Sequence, residues 1–367
     1  MDSNHRPRTY QVRALPLSYP GECNEPGSRA IAHYSGLLCA IIPKLATLKK
    51  VNKFRFIPIV IVTVLFFAIL VFIPINPNPE SDGQERSIAE RVIFSEPEES
   101  GEVVVVLGGD VMLGRTVMTT SLDKDNPKYP FLKIGDTLYD ADISFVNLEA
   151  PIVDKCQRHY EGLIFCADPR MVAGLVYGGI DFVSIENNHI LNYGAEGLGQ
   201  TKAFLSQRKI GYVDKGNLSV KETKGTKFGF TAFDKVTNTE DFTEEELKFI
   251  EDSASAVDVL LVSVHWGQEY IEQPSQKQRD LARQLVNAGA DVIVGHHPHW
   301  VQTVENMDGV PVYYSLGNLV FDQMWSEKTK EGLLVRLTFE NGKITSEEFL
   351  KTYMENWAQP ELVDSSE

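Results

Sequence analysis

The sequence predicts a mixed α/β fold over residues 102–352, two packed β-sheets with helices on the outside. Three observations carry that prediction: short β-branched runs alternate with helical stretches from Glu102 onward, several of the runs end in polar loops, and the last third turns purely β. A buried strand feeding a polar loop is the usual α/β arrangement.

Val103 to Leu107 is apolar throughout and ends in Gly108-Gly109-Asp110, and Ile143 to Val146 ends in Asn147-Leu148-Glu149. Pro169 to Tyr177 reads as a helix, Phe182 to Ile185 as a strand leading into Glu186-Asn187-Asn188-His189, and Ala195 to Gln207 as a further helix. Lys227 to Phe233 alternates as a strand, Glu244 to Ser255 is an acidic amphipathic helix, and Val257 to Val264 is a buried strand reaching His265-Trp266. Gln276 to Ala288 puts Leu281, Leu285 and Ala288 on one helical stripe and leads to the strand Val292 to Val294. Val310 to Leu316, Leu333 to Phe339 and Ile344 to Leu350 read as strands, the last two joined by an Asn341-Gly342 turn. Residues 353–367 read as a tail, and no internal repeat or second domain is evident.

Upstream, Phe56 to Ile75 is twenty residues without a charge. At about 1.5 Å per residue it spans about 30 Å, the thickness of a hydrocarbon core, and is expected to form a single transmembrane anchor. Lys44, Lys49, Lys50, Lys53 and Arg55 crowd its N-terminal side and no basic residue lies between Pro74 and Glu80. The positive-inside rule therefore places the leader 1–55 in the cytoplasm and the rest outside the cell membrane. Ile73-Pro74-Ile75-Asn76-Pro77 lacks a small-x-small cleavage site, so the anchor is expected to stay attached. Residues 76–101, rich in Pro, Glu and Ser, form a tether. Met1 to Gly21 looks like the peptide made when a gene model reads through an adjacent transfer-RNA gene, which predicts a true start at Val51 or Leu48. N-terminal sequencing of the native protein that found Met1 or Asp2 would refute this.

Residues 1–79 carry nine Lys/Arg against three Asp/Glu, leaving 26 against 48 in the remainder. So acidic a body repels nucleic acid and polyanions unless bound cations invert the local field. A nucleic-acid role is not expected. Cys156 and Cys166, in the exported part and without a Cys-x-x-Cys, are expected to form a disulfide closing a small loop.

The chemistry concentrates at strand ends. Asp291-Val-Ile-Val-Gly-His296-His297-Pro-His299-Trp300 places three histidines within four residues after an apolar run, which suits metal binding better than packing. Asp110, Asn147 with Glu149, Asn188 with His189, and His265 arrive at other strand ends. Singly, Asp110 reads equally as a turn residue, Asn188 as a helix cap, Glu149 as a solvated carboxylate and His265 as a core histidine. Together they suit one or two divalent ions, Mn, Fe, Zn or Mg, sharing Glu149 or Asp110.

Asp110-Val-Met-Leu-Gly-Arg115, Asn147-Leu-Glu149-Ala-Pro, Asn187-Asn-His189-Ile-Leu-Asn-Tyr-Gly194, Val264-His265-Trp-Gly-Gln-Glu-Tyr270, Gly295-His-His-Pro-His299 and Tyr314-Ser-Leu-Gly-Asn318-Leu-Val-Phe resemble the CapA family. These are capsule and poly-γ-glutamate synthesis proteins, related to calcineurin-like metallophosphoesterases, and the resemblance covers about residues 102–350. It implies a four-layer αββα sandwich with metal ligands on loops at strand ends. Asp110 falls on the first aspartate of a phosphoesterase, Glu149 on the bridging carboxylate, Asn188 and His189 on the Asn-His element, His265 on the isolated histidine, and His297 and His299 on the final pair. Met112 stands where a histidine ligand is usual, and His296 is extra. A metal-activated water is then the nucleophile, with Asp110 and Glu149 holding ions and His189 donating a proton to the leaving group. Arg115 reads either as an anion-binding substrate residue or as a surface salt-bridge partner, and Glu269 and Asn318 as further substrate-side residues.

The function expected is that of a membrane-anchored extracellular hydrolase or transferase acting on an anionic envelope polymer, capsule or poly-γ-glutamate. Two alternatives stand beside it: a non-catalytic subunit of a membrane synthesis or export complex with a vestigial metal site, and a general surface phosphoesterase. Fold does not decide between them.

Overall fold

The computed structural model describes residues 101–363. The leader, the anchor expected at 56–75 and almost all of the tether lie outside them, and among the described residues no helix is long and apolar enough to cross a membrane.

The chain begins with β1 (Val103–Val111), α1 (Arg115–Asp123), α2 (Gly135–Tyr139), β2 (Ile143–Leu148), α3 (Val172–Tyr177), β3 (Phe182–Ser184), α4 (Gly194–Gln207) and β4 (Gly211–Val213). It then builds β5 (Ser219–Thr223), β6 (Thr226–Asp234), α5 (Glu244–Ala256), β7 (Val259–His265), α6 (Gln276–Asn287), β8 (Val292–His296), β9 (Val304–Met307) and β10 (Val310–Tyr313). Finally β11 (Asn318–Val320), α7 (Glu327–Lys330), β12 (Glu331–Glu340), β13 (Lys343–Asn356) and β14 (Gln359–Leu362) return to the first group.

Two sheets result, in a mixed α/β architecture. One has the order β14-β13-β12-β1-β2-β3-β4, with β11 also paired to β1, and the other the order β5-β6-β7-β8-β10-β9. In both, the central strands run parallel: β1, β2, β3 and β4 in the first, β6, β7, β8 and β10 in the second. Their carboxyl ends deliver Asp110, Glu149, His189, His265 and His296.

Strand periodicity sorts the apolar side chains into three cores. Val105 and Leu107 of β1, Phe145 of β2 and Val335 of β12 meet Phe230 of β6, Leu261 of β7 and Val294 of β8 between the sheets. The alternate residues Val106, Val146 and Leu334 face α1, α3 and α4 through Val117, Leu175 and Leu205. Leu260, Val262 and Ile293 face α5 and α6 through Ile250, Leu281 and Leu285. Each such side chain contributes about 1.5–3 kcal/mol of burial. Between the sheets Phe230 stacks on Phe145 (5.6 Å between ring centroids) and Phe182 (4.7 Å). α5 and α6 start in capping boxes, Thr243 with Glu246 and Ser275 with Gln278, which satisfy exposed helix N–H groups.

Three expectations change. The strand expected over 310–316 ends at Tyr313, because Gly317 (φ 68°) turns the chain out of the second sheet so that β11 pairs with β1 in the first. β1 continues beyond Leu107 through both glycines: a Cβ on Gly109 would lie 2.0 Å from the Gly317 carbonyl oxygen, so only glycine permits this approach. The tail expected from 353 is sheet as far as Leu362.

Candidate metal centre

β1 and β2 bring Asp110, Asn147 and Glu149 together at their carboxyl ends, all fully buried. The Asn147 amide Nδ2 donates to Asp110 Oδ1 (2.9 Å) and to Glu149 Oε2 (3.3 Å). The Asn147 oxygen accepts from Asn187 Nδ2 (3.1 Å), whose own oxygen accepts the backbone N–H of His189 (3.2 Å). One amide ladder thus sets two carboxylates and an imidazole in register. Asn147 and Asn187 position the ligands; their hydrogen bonds span three strands and are not visible in spacing.

The second sheet supplies imidazoles. His265 ends β7 and His296 ends β8, and His297 (φ 98°) and His299 (φ 59°) hold left-handed backbone conformations that are costly for side chains larger than glycine. Strain of this kind concentrates at functional sites. Just before them, a Cβ on Gly295 would meet the Tyr314 carbonyl oxygen at 2.1 Å. A glycine therefore directly precedes Asp110 in the first sheet and His296 in the second.

The two groups meet on Asp110. His299 Nδ1 lies 3.1 Å from its Oδ2, the backbone N–H of His297 donates to the same oxygen (3.3 Å), and His296 Nδ1 lies 3.3 Å from Oδ1. Glu149 Oε1 is 3.7 Å from His299 Nε2 and 3.9 Å from His189 Nε2. His265 Nε2 is 3.1 Å from Asn188 Oδ1. His189 stacks on Phe165 with 3.9 Å between ring centroids, and its Nδ1 lies 3.2 Å from Asn192 Oδ1. That oxygen also accepts from the backbone N–H of Phe165 (2.7 Å), so it faces His189 as an acceptor and Nδ1 carries the proton. The Nε2 lone pair then points at Glu149.

Burial raises the Asp110 carboxyl, but the His296 and His299 imidazoles outweigh it and hold the group well below the ordinary carboxylate range. Burial and the Asp110 charge push Glu149 well above it. Burial lowers His189, and burial with neighbouring His297 lowers His265 well below the usual imidazole value. Burial and His299 bring His297 down to about 4. His189, His265 and His297 are therefore neutral at pH 7, each with one ring nitrogen lone pair.

The donor set fits a divalent ion. Glu149 with His265 and His297, Asp110 with Glu149 and His299, and Glu269 with His297 and His299 each hold their ligand atoms within 4.8 Å of one another. Buried Glu149 Oε1 and His297 Nδ1 have no hydrogen-bond partner among the described residues. Buried polar atoms are almost always paired, so these call for an absent partner of positive charge. Carboxylate and imidazole together suit Mn, Fe or Zn.

His189 and His299 open onto a cavity of about 520 Å³ lined also by Arg115, Phe165, Glu269 and Tyr270. Cys156 and Cys166 are disulfide-bonded, and the loop they close forms one side of this cavity. Of the expected substrate residues, Arg115 lines the cavity and takes the salt-bridge alternative, and Asn318 lies away from the cavity. Arg115 donates through Nε and NH2 to both oxygens of Asp322 and through NH1 to the Gly162 carbonyl (3.0 Å), so it ties that loop down. Asn318 is fully buried, does not line the cavity, and spends its amide on Gln323 (3.1 Å) and the Thr329 carbonyl (2.9 Å). Glu269 does line the cavity. His296, set aside in the sequence as extra, sits against Asp110. Met112 packs in the core behind β1, where its sulfur accepts the N–H of Gly114 (3.1 Å).

The family model described as "Bacterial capsule synthesis protein PGA_cap" matches residues 104–323. The chain belongs to that family. The capsule biosynthesis protein CapA of Bacillus anthracis is 29% identical over 265 residues, covering 65% of this chain and 64% of the relative. The PGA biosynthesis protein CapA of Bacillus subtilis is 28% identical over 312 residues, covering 78% and 77%. The match thus leaves about a third of the Bacillus anthracis protein's length unspanned. Among solved structures, a putative 5'-nucleotidase of Staphylococcus aureus aligns with a TM-score of 0.41 at 15% identity, over 73% of this chain and 56% of that one. The PGA_cap segment contains the whole constellation from Asp110 to Asp322.

Proposed function

We propose that this PGA_cap protein is a membrane-anchored, extracellular enzyme of capsule or poly-γ-glutamate synthesis or export, with a metallophosphoesterase-like domain that hydrolyses an ester or amide bond of an anionic envelope polymer. One observation carries the reading: two buried carboxylates, Asp110 and Glu149, meet a set of imidazoles beside an open cavity that His189 and His299 line, with Glu149 Oε1 and His297 Nδ1 left without partners among the described residues. A packing role would pair those atoms; a cation-binding role requires them free.

Asp110, Glu149, His265, His297 and His299 would hold one or two ions, with Asn188, His189, His296 and Glu269 next to them. Such an ion, when bound, supplies Lewis acidity toward the bond attacked and acidifies the attacking water. His189, with Nδ1–H held by Asn192, offers Nε2 to take a proton from the nucleophile and return it to the leaving group. Asn147 and Asn187 fix the carboxylates, so little reorganisation accompanies the reaction. One feature favours a non-catalytic assembly subunit instead: Met112 stands in the core where a further ligand is usual.

The test is an assay of the full-length protein, in detergent with Mn, Fe or Zn, on a chromogenic phosphodiester and on poly-γ-glutamate. The expected result is metal-dependent turnover of the polymer that His297→Ala/His299→Ala abolishes. Turnover of the small ester alone points to a general phosphoesterase, and a folded, metal-loaded, inactive protein to an assembly subunit. Protease treatment of intact cells should remove the domain but not the leader; protection of the domain would overturn the extracellular placement.

A further inference from the structure

The outer wall of the cavity is apolar although it faces water. Tyr160 and Leu163, from the disulfide-closed loop, are 63% and 77% exposed, and Trp325 and Trp357, from the other end of the chain, 60% and 49%. Large apolar residues cost free energy in that setting, so four around one opening mark a binding surface. The wall is also held in place: Trp325 lies edge-on against Tyr270 (4.7 Å between centroids), and the loop is fixed by its disulfide and by the Arg115 contact to Gly162.

Its charge narrows the occupant. Among the described residues Arg115 is the sole Lys or Arg lining the cavity and is committed to Asp322, while Glu161 and Glu269 add two further carboxylates. At this outer wall, away from the metal ligands, a run of free carboxylates would meet like charge with the one basic side chain already paired. A pyranose ring suits the surface: its C–H faces lie on aromatic rings, and its hydroxyls donate to carboxylates. We infer that the wall formed by Tyr160, Leu163, Trp325 and Trp357 is a subsite for neutral sugar rings, the glycan segment next to the bond on which the metal centre acts. The inference rests on the reading of the cavity as a polymer site and gives that polymer a sugar component.

The test is calorimetric titration of the full-length, Mn-loaded protein with chitotetraose, cellotetraose, maltotetraose and a poly-γ-glutamate octamer. At least one tetrasaccharide should bind, Trp325→Ala and Trp357→Ala should each weaken it at least about 10-fold, and Trp325→Phe should restore it to within about 3-fold. Absence of tetrasaccharide binding, binding indifferent to both tryptophans, or tighter binding of the octamer through the same tryptophans would overturn the inference. Cleavage of poly-γ-glutamate without sugar binding sinks it and spares the hydrolase reading. Sugar binding without turnover of any polymer does the reverse.

Discussion

The two sheets make unlike contributions to one site. The first presents carboxylates and amides, Asp110, Asn147, Glu149 and Asn187, braced by short hydrogen bonds within the sheet. The second presents imidazoles, His265 at the end of β7 and His296, His297 and His299 at a turn with two left-handed residues, with His297 Nδ1 unpaired among the described residues. The acidic half is built like a finished structure and the basic half like one awaiting a partner. Neither half is a site alone, so function depends on how the sheets pack as much as on any ligand.

Separating the halves should have the largest effect. Phe230→Ala removes the ring that stacks on Phe145 and Phe182 across the sheets, and should cost about 3–5 kcal/mol in denaturant unfolding. Metal affinity should fall with it although no ligand is touched; unchanged affinity would show that the halves do not depend on this packing.

The loop side of the first sheet can be loosened next. Cys156→Ser/Cys166→Ser opens a loop of sequence separation 10 and should cost about 2–3 kcal/mol, with the wild type falling to the same value under reductant. Because Phe165 lies inside that loop against His189, the His189 ring signals should broaden in NMR while those of His265 stay sharp.

Asn147→Leu tests the amide ladder itself. It leaves every proposed ligand in place, yet metal affinity should fall about 10- to 100-fold, the usual consequence of removing an outer hydrogen-bond partner. An affinity equal to wild type would mean that the carboxylates are held by packing alone.

The smallest effect belongs to the second sheet's flank and serves as a control. Burial raises the Glu246 carboxyl, but bonds from the Thr243 N–H, Lys215 and Lys235 overcome this and bring it to about 2. A carboxylate held below its unfolded value of about 4.5 adds stability above that pH and loses it as pH falls toward 2. Glu246→Gln should therefore cost about 1 kcal/mol at pH 7, a gap that closes between pH 4.5 and 2, with metal affinity unchanged.

Much of this was legible because strand ends are punctuated. Apolar runs followed by Asp110, Glu149, His189, His265 and the His-His-Pro-His turn marked the ligands without knowledge of which strands adjoin. What escaped depends on contacts distant in sequence. Arg115 meets Asp322 across 207 residues, Phe165 stacks on His189, and His296 reaches Asp110 only once the sheets pack. α1 was missed because Arg115-Thr-Val-Met-Thr-Thr-Ser is poor in helix formers and Gly114 provides no side-chain cap; it exists by burying Val117, Met118 and Leu122. The short strands β4, β5, β9 and β14 carry too few residues for alternation to show.

The central claim is that both sheets hold one metal centre. Elemental analysis of the full-length protein, after incubation with Mn, Fe and Zn and removal of excess, tests it most directly when wild type is run beside Asp110→Asn and His297→Ala/His299→Ala. The account predicts one or two ions per chain in the wild type and loss from both variants, with folding intact by circular dichroism. A folded wild-type protein that takes up none of the three metals, or an Asp110→Asn variant that keeps its full complement, would contradict it.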